Sequence, residues 1–296
     1  VTRLLDQYCA EPHNAAITAA ARDAASGATI TADKEGVVAI TPPRSRYPML
    51  VFQVGGPVQG AVAMNHGGSL AAVGDDTGAV QVFRTDTGDV VFHDAREGAA
   101  GAARAMRAMA FSSREAWLAT LSIDGIIRVY DYQRHRRINN FDGYRGGRTI
   151  EFDPARPDRL LAVDSRGQPV LIEVATGVIL EFEQIPGGVQ AAKFTPDGRY
   201  VVTMGQTGVS LLALPEQSLA RAQQSRGGAL VNVLVHPDGN RVAALSARSC
   251  HVLGLPDLDL LSSERHGAPN PSGAGYWDRK GVQVGGEDGR FRRPGA

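Results

Sequence analysis

The sequence is poor in the residues that staple, anchor or charge a chain. Cysteine occurs twice in 296 residues, at Cys9 and Cys250. Two thiols make no disulfide framework, and no Cys/His spacing fits a zinc site. No stretch approaches the ~18 consecutive apolar residues of a membrane helix, and the opening VTRLLDQYC has no apolar signal core. The expectation is a reducing cytoplasmic setting with no membrane contact. The first residue is Val1 rather than Met, as expected for a domain within a longer chain or a start codon read as valine. Lysine is also scarce. Only Lys34, Lys193 and Lys280 are lysines among 31 basic residues, and the rest are arginine. With the abundant Ala and Gly, that bias matches a GC-rich bacterial genome and carries no functional weight by itself.

A net charge of either sign is missing too. The 31 acidic residues cancel the 31 basic ones. A balanced chain has no global field to draw it onto DNA, RNA or an anionic membrane, so nucleic acid is not an expected partner. At 43% hydrophobic and 21% charged residues the composition is that of an ordinary soluble domain.

Catalytic signatures are absent as well. There is no HExxH, no GxSxG elbow and no phosphate-cradling GxxxxGK[ST]. The seven histidines (His13, His66, His93, His135, His236, His251 and His266) are scattered, with no i,i+2 or i,i+4 pair to hold a metal. The acidic turn GDDTG (74–78) lacks the alternating ligands and terminal Glu of a calcium loop. No catalytic residue, no cofactor and no metal site are expected.

What the chain does have is a repeat. Turns closed by Gly or a small residue, each followed by a short apolar strand, fall at Gly36, Gly78, Gly125, Gly167, Gly208, Ser249 and Gly289. The spacings are 42, 47, 42, 41, 41 and 40 residues, the length of a four-stranded propeller blade. Seven residues before each turn stand Thr29, Ala71, Leu118, Leu160, Val201, Val242 and Val282. Seven further back lie Met64, Phe111, Phe194 and Val235, and Phe152 fits if its turn, DPARPD, is one residue longer. Between the columns lie turns such as TPDG (195–198) and HPDG (236–239), where Pro presets φ and Gly supplies a positive φ. The runs LAAV (70–73), LLAV (160–163), YVVTM (200–204) and VAAL (242–245) lack strict alternation, as strands covered on both faces do.

The segment SIDGIIRVYD (122–131) resembles the S-x-D-G-x-I-R-L-W-D segment of the WD40 family, with Tyr130 in place of Trp. AVQVFRTDTG (79–88) and PVLIEVATG (169–177) are similar but carry Phe83-Arg84 and Ile172-Glu173 at the WD pair. The family's Gly-His pair is not evident in any repeat, which argues against its buried Asp–His–Ser–Trp network. The resemblance covers the whole chain. It implies an all-β fold, a seven-bladed WD40-type β-propeller forming a single domain, with blades over about 8–54, 57–94, 101–142, 143–183, 185–224, 225–266 and 267–296 plus 1–6. In that scheme VTRLLD at the N-terminus supplies the outer strand of the last blade and closes the ring.

The resemblance also assigns faces. Loops between second and third strands, and between blades, lie on top; the other turns lie on the bottom. The top of blades 4 to 6 then carries Arg145, Arg148, Arg166, Arg226 and Arg248, with Asp164 the exception, opposite an acidic half with Asp33, Glu35, Asp75, Asp76, Glu287 and Asp288. On the bottom, Tyr132, Arg134, His135, Arg136 and Arg137 form the densest positive cluster, in a blade 3 hairpin that replaces its neighbours' Thr-Gly turn. These arginines and His135 are the candidate partner contacts, since complementary potential orients a partner. The implied function is a non-catalytic scaffold or sensor for protein partners, within a multi-domain chain or assembly. The alternative is an enzyme or small-ligand binder using polar residues at the axial funnel.

Overall fold

The computed structural model describes residues 12–45, 47–58, 61–94, 105–185, 187–206, 208–214, 218–224, 229–265, 274–278, 281–285 and 291–293. Its turns set the spacing of everything else. In four consecutive repeats the N–H of the turn glycine (Gly36, Gly78, Gly125, Gly167) donates to the carbonyl three residues back (Asp33, Asp75, Ser122, Asp164) at 2.9–3.2 Å. Three of those acceptors are aspartates whose side chains take further turn N–H groups. Asp33 accepts from Glu35 and Val37, Asp75 from Thr77 and Ala79, and Asp164 from Arg166 and Gln168. Such Asp-capped turns satisfy backbone donors that have no strand partner. Gly125 shows why the last turn position is glycine: its φ is +85°, and a Cβ there would lie 2.4 Å from the Arg145 nitrogen.

Constant turn length fixes strand register. The two sequence columns are ladder partners: Met64 pairs with Ala71, Phe111 with Leu118, Phe194 with Val201, and Val235 with Val242. Phe152 pairs with Leu160 across the longer turn, and Arg22 with Thr29 in the first repeat.

Six antiparallel four-stranded sheets result, each running from inner to outer strand in chain order. Blade 1 is Ile17–Arg22, Thr29–Asp33, Val37–Thr41 and Leu50–Gln53; blade 2 is Val62–Met64, Leu70–Gly74, Val80–Arg84 and Val90–Asp94. Blade 3 is Met106–Phe111, Trp117–Ser122, Ile127–Asp131 and Arg136–Phe141; blade 4 is Glu151–Phe152, Arg159–Val163, Pro169–Glu173 and Ile179–Glu181. Blade 5 is Ala191–Phe194, Tyr200–Met204, Gly208–Ala213 and Ser218–Gln224; blade 6 is Leu230–Val235, Arg241–Ser246, Ser249–Gly254 and Asp259–Arg265. A three-stranded sheet of Gly275–Asp278, Gly281–Gly285 and Phe291–Arg292 follows. Inner strands of successive blades touch, and Gly275–Asp278 touches the inner strands of both blade 6 and blade 1.

The expected seven-bladed ring closed by the N-terminal strand is corrected by this count: among the described residues the propeller has six four-stranded blades, and the last repeat contributes a three-stranded sheet. The reason is physical. Turn spacing counts hairpins of second and third strands, and a hairpin does not guarantee an outer strand. Residues 1–6, expected to supply one, lie outside the described residues.

The core is laminated. Six apolar layers lie between adjacent sheets, from blades 1 and 2 around to blade 6 and the C-terminal sheet. Second strands are sandwiched in these layers: Leu70–Gly74, Arg159–Val163, Tyr200–Met204 and Arg241–Ser246 are buried past their first residue. Each fully covered Leu or Val contributes roughly 1.5–3 kcal/mol relative to exposure. In blades 2, 3, 5 and 6 the ladder to the outer strand shifts at the same place, beside Phe83, Tyr130, Leu212 and Leu253. That repeated bulge twists the outer strand just after its turn. No helix among the described residues is long and apolar enough to cross a membrane.

Candidate functional site

Blade 1 contains an arrangement that looks catalytic at first sight. His13 Nδ1 lies 3.0 Å from Asp33 Oδ2, and its Nε2 lies 2.7 Å from Thr31 Oγ1. All three residues are buried, and Asp33 also caps its turn. A nucleophile needs access, whereas a buried polar network ties the segment at His13 to the sheet. The Asp–His–Ser–Trp network that the missing Gly-His pair puts in doubt is met here only in part, as a buried Asp–His–Thr set with Pro12 where the family pattern has Gly. Position 41, which extends this ladder, is Thr rather than Trp.

Other nucleophile candidates fail on similar grounds. Cys250 is buried, and burial with nearby Glu264 pushes its thiol up to about 12, far from thiolate reactivity. His251 Nε2 meets Ser249 Oγ at 3.1 Å, but Ser249 is buried and bonded to Ser246 in the turn. Among the described residues no cluster of three His, Cys, Asp or Glu side chains is arranged to hold a metal.

The lower hairpin of blade 3 is different. Asp131, at the end of the third strand, is 1% exposed; its Oδ1 accepts the Arg134 N–H at 2.9 Å and its Oδ2 pairs with the Arg134 guanidinium at 2.8 Å. Burial works to raise the Asp131 carboxyl, yet these bonds and the Arg134 and Arg136 charges hold it below the usual carboxylate range. His135 takes φ +51° in the slot that glycine fills in the neighbouring blades, at Gly88 (+78°) and Gly177 (+76°). A β-carbon in that region costs roughly 1 kcal/mol; the ring stacks obliquely toward Phe92, centroids 6.0 Å apart. Arg134, Arg136 and Arg137 are exposed, and among the described residues Arg136 and Arg137 form no ion pair. Tyr132 leans edge-on against Phe111 at the base of the hairpin.

The top face gathers less charge than its residue types imply. Arg145, Arg148 and Arg248 are exposed. Arg166 is engaged by Asp164 (2.7 Å) and Glu181 (2.6 Å). On the acidic side Asp33 and Asp75 are buried and committed to their turns, leaving Glu35 exposed and Asp76 partly so. Arg226, Glu287 and Asp288 lie outside the described residues.

Down the axis runs a channel of about 1300 Å³ lined by the inner strands. Among the described residues its charged lining comprises Arg22, Lys34, Arg107, Arg148 and Lys193 against a single carboxylate, Glu151. Glu151 accepts the Phe194 N–H at 2.6 Å and faces Lys193; burial nevertheless raises its carboxyl above the ordinary value. Arg107 donates to the Gly147 carbonyl at 3.2 Å, and burial and the adjacent Arg148 charge both lower it. Sequence spacing could not reveal this site, because its members come from different repeats.

Laminated four-stranded blades around a channel make this fold a β-propeller. Among solved structures it is similar to a crystal structure of RRP9 WD40 repeats, with a TM-score of 0.78 at 15% identity over 96% of this chain and 92% of that one. It is also similar to a structure of U3-55K, with a TM-score of 0.77 at 14% identity over 94% and 90% of the two chains. At such identity the likeness establishes the fold alone, and it does not bear on the source organism suggested by the Arg bias. No protein-family model matches the sequence, and a search of curated proteins finds no match.

Proposed function

We propose that the chain is a non-catalytic interaction module whose propeller loops, foremost the lower hairpin of blade 3, receive an acidic segment of a protein partner. One observation carries this reading. Blade 3 gives up the glycine its neighbours use and holds His135 in a left-handed turn ringed by three exposed arginines, all set on a buried Asp131. Backbone strain retained on a rigid, solvent-facing support is the pattern of a presented site. Arginine forks match carboxylates in pairs, which suits an acidic peptide. The enzyme alternative is less favoured, because the residues nearest to a triad are buried within the first blade.

The test is capture from a lysate with the wild-type chain and with R134E/R136E/R137E. The expected outcome is at least about a tenfold loss of the recovered partner, since rim-to-core charge reversal costs on the order of 1–3 kcal/mol. Equal recovery by both proteins removes the hairpin from the account.

A further inference from the structure

We propose that the axial channel is a binding site for a small multivalent phosphate compound, held at its top mouth by Arg107 and Arg148. Arg107 is the second residue of the inner strand of blade 3, and its side chain lines the channel. The loop that carries Arg148 crosses from blade 3 to blade 4 and is pinned there by the Arg148 N–H on the Gln190 carbonyl (2.7 Å). Arg107 is thus carried by a blade strand, and Arg148 by an inter-blade loop whose backbone is tied down at that point. Both line the same cavity, the Arg148 charge is near enough to act on Arg107, and among the described residues neither forms an ion pair. Guanidinium does not lose its proton at working pH, so the repulsion is relieved by an anion and not by titration.

The rest of the lining points the same way. Lys34 adds a cation from the top turn of blade 1, and Lys193 another from blade 5. Among the described residues the lining's single carboxylate, Glu151, accepts the Phe194 N–H and lies in the field of Lys193. Cations on walls of low dielectric concentrate an anion inside a narrow site. Several cations around one space, Arg107, Arg148, Lys34 and Lys193, match the multiple charges of a phosphate compound better than the single charge of one carboxylate. Arg107, half-buried in the wall, is met by a ligand small enough to enter. A cavity of about 1300 Å³ accommodates such a compound.

Isothermal titration of the purified chain with inorganic triphosphate, and separately with a nucleoside triphosphate, tests this. Binding of either probe is expected; tighter binding of the nucleotide assigns the source to a phosphorylated metabolite, and equal binding assigns it to the phosphate chain alone. R148Q, an exposed and structurally mild change, is expected to weaken binding at least about tenfold, as is R107Q. E151Q is expected to bind no more weakly than wild type, and R134E/R136E/R137E, on the opposite face, to bind as wild type does. The proposal is overturned if neither probe binds the wild-type chain, or if R148Q loses less than tenfold. Because the lower hairpin is probed by protein capture and the channel by titration, failure of one leaves the other standing.

Discussion

Asp131 shows how much one side chain decides in the lower hairpin. It is buried, yet it stays ionised because the Arg134 backbone and guanidinium both donate to it. A carboxyl whose folded-state value is depressed stabilises the fold above its unfolded value and loses that contribution as pH falls through the folded value. Wild type is therefore expected to melt above D131N at pH 7, with the gap closing as pH falls through and below the ordinary carboxylate range. Thermal melts of both proteins across that range measure it, and a gap independent of pH contradicts the assignment. The same residue explains why His135 can hold a left-handed φ: the turn is fixed from both ends, by Asp131 on one side and by the ring near Phe92 on the other.

At the scale of strands and sheets, close packing between blades is the governing constraint. Gly74, at the end of the second strand of blade 2, lies against blade 3 so closely that an added Cβ would be 2.6 Å from Met106 Cβ. G74V is expected to destabilise the protein by roughly 1–3 kcal/mol through overpacking, read as a lower denaturant midpoint; an unchanged midpoint shows that the blades part easily there. Much of this level was legible in the sequence. The columns led by Ala71 and Leu118 became ladder pairs with Met64 and Phe111, because turn length and register are local properties. The longer DPARPD turn was readable for the same reason: buried Asp153 accepts the Ala155 and Arg156 N–H groups and pairs with Arg159. Three features were not legible. The His13 network joins residues 18 and 20 positions apart and lacks the glycine that signals it elsewhere. The outer strand of the last repeat was counted from a hairpin that does not require one. The Arg107–Arg148 pairing depends on which side chains face the axis, and it unites different repeats.

For the molecule as a whole, balanced charge hides an uneven arrangement. Acidic residues are drawn inward to cap turns, as Asp33, Asp75 and Asp153 do, while arginines remain outside at the blade 3 hairpin and along the channel. A chain with no net charge thereby presents two positive regions on opposite faces of one ring. The laminated core makes that ring a rigid frame, and loops fixed on rigid frames are where recognition concentrates. The most direct test is hydrogen–deuterium exchange of the chain alone and with its captured partner. The account predicts new protection centred on residues 131–137 of blade 3. Protection confined to other loops, with that hairpin exchanging as in the free chain, would contradict it.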